Sequence, residues 1–324
     1  MSHSSPALVA DIGGTNARFG LADLDTLEIG RIEVFLGRDH PTLAGAAAAY
    51  LDARDVRPRT GAFAVAAPVT GDSVRFTNSP WVFTLLELRH ALGLDELLLL
   101  NDFEALALGL PHLGPSDLHQ IGGGAPQERA TKAVLGPGTG LGVAGLAWSP
   151  AGWVALPGEG GHTTLAVESE REFAILQALR QGKERVSTER VLSGPGLAEL
   201  YRVLAGLRGQ QPESLEPAEV VSRAQARSDA AAEEALGRFV TWAGRFAGDV
   251  ALLYGARGGV YLGGGIAPRI LGALTSGPFR AAFEAKGRMS AYVAAIPVHV
   301  ILAGDAALRG AAAALAAALA ARGS

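Results

Sequence analysis

Asn101 and Asp102 directly follow the apolar run from Leu97 to Leu100 and directly precede the helix-like segment FEALALGL. A carboxylate at such a switch has an ordinary explanation, because Asp is a natural helix N-cap. The same position also faces the carboxyl edge of an open α/β sheet, where ligands bind. The two readings do not compete. Asp102 can start a helix and still take the proton from an attacking hydroxyl, with Asn101 hydrogen-bonding a neighbouring hydroxyl. Glu159 and His162 are crowded between glycines in Leu156-Pro-Gly-Glu-Gly-Gly-His162, and Glu189 precedes Gly194-Pro-Gly196. Each alone reads as an ordinary surface residue. As a set, two Glu, one His, one Asn and one Asp supply the acceptors and donors that a polyol needs. A metal centre from Glu159, His162 and Glu189 is the weaker alternative, with two ligands in sequence and one distant.

Three glycine clusters offer the complementary chemistry of phosphate binding. In Asp11-Ile-Gly-Gly-Thr15 the acid ends a strand, and Gly13 and Gly14 let successive N–H groups approach anionic oxygens, with φ > 0 open to them. Thr15 adds a hydroxyl, and Asp11 can hold the Mg²⁺ that travels with a nucleotide, through water. Gly-Gly alone would suggest a plain hairpin turn; the full DxGGTxxR pattern favours the phosphate reading. Gly136-Pro-Gly138-Thr139-Gly140 is not a Walker loop, because no Gly-Lys-Ser/Thr follows, and its spacing does not fit a dinucleotide fingerprint. Gly263-Gly264-Gly265 sits at a strand end and fits equally a flat seat for adenine or ribose and a tight turn.

The elements that must carry these groups alternate between strand and helix, an α/β pattern. Strands are expected at 7–12, near 18–21, at 29–35, 62–67, 96–100, 133–136, 141–148, 258–262 and 298–302. Helices are expected at 42–53, 84–92, from about 103, then at 169–181, 195–206, 217–227, 229–254 and over the Ala-rich tail after Gly310. Strand–(Asp11 to Thr15)–strand is echoed by strand–(Gly136 to Gly140)–strand. Two duplicated α/β lobes, each offering a Gly/Thr hairpin, is the plan of the actin/hexokinase/Hsp70 superfamily.

Composition removes other classes. The 324 residues suffice for two lobes, and 48% hydrophobic with 19% charged residues is a folded balance. A net charge of −4 gives no basic footprint for nucleic acid or membrane. With no cysteine there are no disulfides, thiolate metal sites or cysteine nucleophiles. No signal peptide is expected from the N-terminus, and the Ala-rich tail is short for a span and rich in the best helix former. A cytoplasmic protein is the expectation. Arginine replaces lysine almost throughout, a bias that GC-rich coding or heat adaptation would each produce.

The motifs ADIGGTNARF, LLNDFEAL, LGPGTGLGVA, LPGEGGHT, TERVLSGPGL, GGVYLGGGIAPR and FRAAFEAKGRM occur in this order from Val9 onward. In this they closely resemble the bacterial glucokinase family, the branch distinct from the repressor/open-reading-frame/kinase (ROK) group. The resemblance implies a two-lobed actin-like/hexokinase-like ATPase fold, a ribonuclease H-like duplication with an interlobe cleft, and transfer of phosphate from ATP to the 6-hydroxyl of glucose with Mg²⁺. It implies that Asp102 is the general base, and that Asn78, Asn101, Asp102, Glu159, His162 and Glu189 bind glucose. Ala10, Asp11, Ile12, Gly13, Gly14 and Thr15 with Gly138, Thr139 and Gly140 would hold phosphates, and Gly263, Gly264 and Gly265 would lie beside adenosine. It further implies a smaller lobe of 7–103 plus about 303–322, a larger lobe of 104–302 with dimer-forming helices, and a homodimer. No structural zinc is expected, since the cysteine-rich motif of the ROK kinases is missing. Gly304 to Gly310 follows the family's last segment only loosely, which blurs the late adenosine contacts.

The expected reaction is direct in-line transfer, with lobe closure excluding water. A superfamily chaperone or filament protein would share the loops but not the acid and histidine set. A sugar-responsive regulator would need a DNA-binding segment, for which about six residues before the first strand leave no room. Glucose, mannose and glucosamine differ only at carbon 2, so sugar choice stays open.

Overall fold

A computed structural model describes residues 6–67, 73–76 and 81–323. The chain divides into two units, Met1–Gly114 with Trp153–Pro157 and Ala303–Ser324, and Pro115–Gly152 with Gly158–Leu302. In the first unit the strands are β1 (Ala7–Ile12), β2 (Asn16–Ala22), β3 (Ile29–Leu36), β4 (Thr60–Val65), a separate pair β5 (Ser73–Arg75) and β6 (Val82–Thr84), and β7 (Glu96–Asn101). The main sheet runs β3-β2-β1-β4-β7. β1 to β3 form an antiparallel meander, while β4 and β7 lie parallel to β1.

β1 is apolar from Ala7 to Ala10 and again at Ile12 because both its faces are covered. Leu8, Ala10 and Ile12 belong to a core with Phe19, Phe63 and Tyr50 of α1 (Leu43–Asp52). Ala7 and Val9 belong to another with Leu308, Ala311 and Leu315 of α11 (Ala306–Gly323). Alternate residues of one strand thus feed two cores, as the two-residue repeat of a strand requires. Outside the sheet, a Thr84–Glu87 capping box opens α2 (Leu85–Ala91). α3 (Asp102–Gly109) follows β7 without a break.

The Ala-rich tail packs on α3 at a distance that only small residues allow. A β-carbon at Gly310 would lie 1.7 Å from the Ala105 carbonyl oxygen, and one at Gly109 would lie 2.2 Å from that of Ala306. This close packing fixes the helix whose first residue is Asp102.

The second unit holds β8 (Leu118–Ile121), β9 (Lys132–Pro137), β10 (Leu141–Ser149), β12 (Val260–Leu262), β13 (Val298–Ile301) and the ends of β11 (Gly152–Gly158), whose middle, Trp153–Pro157, is grouped with the first unit. Its sheet runs β11-β10-β9-β12-β13-β8. Apart from β8 this is the same order as in the first sheet, with a third and second strand flanking the first and two parallel strands beyond. The echo between the two Gly/Thr hairpins therefore extends to whole sheets.

Seven helices complete the second unit: α4 (Glu170–Arg180), α5 (Gly194–Leu207), α6 (Pro217–Gln225), α7 (Ala230–Tyr254), α8 (Leu271–Thr275), α9 (Pro278–Glu284) and α10 (Ser290–Ala294). Asp229 caps α7, accepting from the amides of Ala231 and Ala232, and Gly255 ends it in the left-handed conformation at φ 57°. Arg245 of α7 and Glu172 of α4 form a buried two-pronged pair at 3.0 and 3.2 Å. Neither β8 nor β11 was expected from the sequence, nor were α9 and α10. These elements are short, and the two strands are largely exposed, so neither periodicity marks them.

Candidate active site

Three parallel strands bring the first unit's acids to one edge. Asp11 near the end of β1 is in register with Ala64 of β4, and Val65 of β4 is in register with Asn101 of β7. Asp102 is the next residue. Because β1, β4 and β7 run the same way, Asp11 and Asp102 both lie at the carboxyl edge of the sheet, the ligand side of such sheets.

The expectation that Asp102 caps its helix is corrected by the structure. Asn101 is the N-cap: its Oδ1 accepts from the amides of Phe103 at 3.0 Å and Glu104 at 3.3 Å, and Glu104 Oε2 accepts from Asn101 N–H. Asn101 keeps strand-like angles (φ −65°, ψ 149°), as a cap must, whereas Asp102 is already helical. Asp102 Oδ1 accepts from Phe103 N–H at 3.0 Å, and its carboxylate is also hydrogen-bonded by the Asn101 side chain. The missed signal was legible, since Asn-x-x-Glu is a capping-box pattern.

Burial, reinforced by the negative charge of Asp11, pushes the Asp102 carboxyl up to about 7, against the pull of the Phe103 amide. Asp11 is itself raised by burial and drawn back by the Arg18 guanidinium 3.6 Å away. Arg18 also donates to the Gly304 carbonyl. It stands on β2 directly opposite Asp11, and it belongs to the site although the sequence reading left it among the motif residues.

The Asp11–Thr15 hairpin is held by Gly13 N–H donating to the Asn16 carbonyl at 2.9 Å and Gly37 N–H to that of Thr15 at 2.8 Å. Gly13, Gly14, Gly138 and Gly140 are not among the positive-φ glycines of the described residues, which corrects the expectation that these turns exploit left-handed angles. Gly140 is crowded, with a β-carbon there lying 2.5 Å from Glu189 Oε2, whereas one at Gly138 would meet nothing within 4 Å. Gly264 does need its freedom, at φ 79°, and a β-carbon there would meet the Pro137 carbonyl oxygen at 2.7 Å. A β-carbon at Gly136 would lie 2.4 Å from the Gly263 oxygen. The second unit thus packs Gly136-Pro137 at the end of β9 and Gly263-Gly264 backbone against backbone. Gly264→Ala is expected to lower stability by about 1–2 kcal/mol and to raise the KM for ATP; thermal melting and initial rates check both.

The same unit brings Glu159, His162 and Glu189 to adjoining turns. Glu159 and His162 have Oε2 and Nε2 3.8 Å apart, with side chains 69% and 56% exposed. Glu189 is half-buried, and its Oε2 accepts from Leu141 N–H at 2.8 Å. Asn78 lies outside the described residues.

Among the described residues no group of three or more His, Asp or Glu could hold a metal ion. The acids do fit a nucleotide-borne Mg²⁺. That ion keeps most of its waters and takes one or two carboxylates with phosphate oxygens, so a single partly exposed Asp11 suffices. A cavity of about 360 Å³ in the second unit, lined by Gly160, Thr163, Thr188, Trp242, Phe246 and Val250 among others, is mainly apolar and unsuited to a polyol.

Comparison with known proteins identifies the family. The family model described as Glucokinase matches residues 8–318. The chain is 48% identical over 311 residues to a glucokinase of Neisseria gonorrhoeae, covering 96% of this chain and 94% of that one. It is 46% identical over 296 residues to a glucokinase of Cronobacter sakazakii, covering 91% and 92%. The crystal structure of a glucokinase from an Antarctic psychrotroph superposes with a TM-score of 0.84 at 37% identity, covering 96% of this chain and 98% of that one. The fold is the two-lobed hexokinase-like ATPase fold, and this chain belongs to the glucokinase family.

Proposed function

We propose that this protein transfers the γ-phosphoryl group of ATP to the 6-hydroxyl of D-glucose, giving glucose 6-phosphate and ADP. The observation that carries the mechanism is Asp102, freed from capping by Asn101 and raised to about 7 beside Asp11. A base with that affinity holds a proton just as the sugar oxygen becomes a nucleophile. Asp102 takes the proton of the 6-hydroxyl, the oxygen bonds to the γ-phosphorus, and the bond to the bridging oxygen of ADP breaks. Asn101, Glu159, His162 and Glu189 hold the other hydroxyls, with Asn78 joining them on the strength of its motif alone. The turns from Ala10 to Thr15 and from Gly138 through Thr139 to Gly140 hold phosphate oxygens, and Gly263, Gly264 and Gly265 seat the adenosine. Asp11 would hold Mg²⁺ through water, and when bound the ion offsets charge on the transferring phosphoryl group.

Family resemblance supports four further readings: residence in the cytoplasm, a homodimer, a role at the start of glycolysis, and a division into a smaller lobe (7–103 with about 303–322) and a larger one (104–302). No helix among the described residues is long and apolar enough to cross a membrane. The test is ADP release from Mg-ATP without sugar and with a panel of hexoses. Turnover confined to glucose is expected. Equal turnover on mannose or glucosamine would move the substrate, and sugar-independent hydrolysis would overturn the kinase reading.

A further inference from the structure

The second unit ties the sugar turn and the phosphate loop into one hydrogen-bonded chain. In the turn, His162 N–H donates to the Glu159 carbonyl at 3.0 Å, and Thr163 Oγ1 donates to that of Gly160 at 2.8 Å. The Thr163 carbonyl accepts from Thr188 N–H at 2.8 Å and from Thr188 Oγ1 at 3.1 Å, and Thr188 is only 3% exposed. Glu189, next in sequence, accepts from Leu141 N–H at 2.8 Å. Leu141 closes the loop in which Gly138 N–H donates to the Gly140 carbonyl, and Gly194 N–H donates back to the Gly138 carbonyl, both at 2.8 Å. Room for the clamp comes from Gly140, where a β-carbon would lie 2.5 Å from Glu189 Oε2.

We propose that Glu189 is a positioning residue that couples sugar occupancy to the phosphate loop, its carboxylate bonding sugar while it clamps Leu141 N–H. This rests on the reading of Glu189 as a sugar contact. One oxygen of the carboxylate is committed to the loop backbone. A sugar hydroxyl that fixes the other oxygen therefore fixes the clamp, and an ordered loop holds the carboxylate in place for the sugar. Linkage makes the effect reciprocal: each ligand tightens the other by the same factor.

The test is calorimetric titration of the full chain with D-glucose and with the non-hydrolysable analogue AMPPNP plus Mg²⁺, each alone and with the other saturating. Glucose is expected to tighten AMPPNP about five-fold or more in the unsubstituted protein. Glu189→Gln keeps an acceptor for Leu141 N–H, so it should bind AMPPNP without sugar within about two-fold of the unsubstituted protein, whereas Glu189→Ala should bind it about five-fold more weakly. Gly140→Ala displaces the carboxylate from Leu141 while leaving it present, so the coupling factor should fall to about one. Equal AMPPNP affinity in the two Glu189 variants, or unchanged coupling in Gly140→Ala, overturns the proposal. Unaltered binding of glucose alone by both Glu189 variants instead overturns the sugar contact on which it rests.

Discussion

Asp102→Asn should lower kcat at least ~100-fold and at the same time make the protein more stable. The loss follows from removing the proton acceptor while keeping its shape. The Asn101–Glu104 cap that sets the start of α3 is untouched, and the Oδ1 of an asparagine still meets Phe103 N–H. Near-normal turnover would remove Asp102 from the mechanism. The unsubstituted enzyme should show an acid limb near pH 7, kcat/KM falling about ten-fold per unit below it, because only the ionised carboxylate accepts a proton.

The gain in stability has a worked sign. The folded carboxyl at about 7 lies above its ordinary 3.8, so the folded state binds a proton that the unfolded chain has released. That contribution is complete below pH 3.8 and is lost as pH rises to 7. The advantage of Asp102→Asn should thus grow from pH 4 to 7 and level off above, at no more than about 4 kcal/mol. Denaturant melts at pH 5 and pH 8 check this. An equal advantage at both would mean that burial of the charge is not its source.

Gly310→Ala is expected to cost ~3 kcal/mol, a fall of roughly 6–12 °C in Tm, and to lower kcat as well. The new methyl would overlap the Ala105 carbonyl oxygen, and a backbone atom cannot swing aside as a side-chain tip can. α3 and α11 must move apart, and α3 carries Asp102 on its first turn. A misplaced base loses rate more steeply than binding, so kcat should fall further than the KM for glucose rises. Thermal melting with initial-rate kinetics checks both; unchanged Tm would mean that the helices are not held at this contact.

Much of this molecule was legible from residue order alone. Strong local patterns mark β1, β4, β7, β9 and β10 as apolar runs and α4 to α7 as helices. The Gly/Thr hairpins and the strand-to-helix switch at Asn101-Asp102 are likewise fixed by neighbours a few residues apart. The seven motifs carried the family, and with it the candidate base. The capping box that makes Asn101 rather than Asp102 the cap is local and was legible as well. Two things needed the tertiary structure, because each depends on groups distant in sequence. The affinity of Asp102 for its proton depends on burial and on Asp11, placed near it by parallel pairing through β4. The commitment of Glu189 to Leu141, 48 residues away, appears in no local pattern. Local sequence determines which elements form and what their ends carry; burial, charge proximity and backbone contact exist only once those ends are brought together.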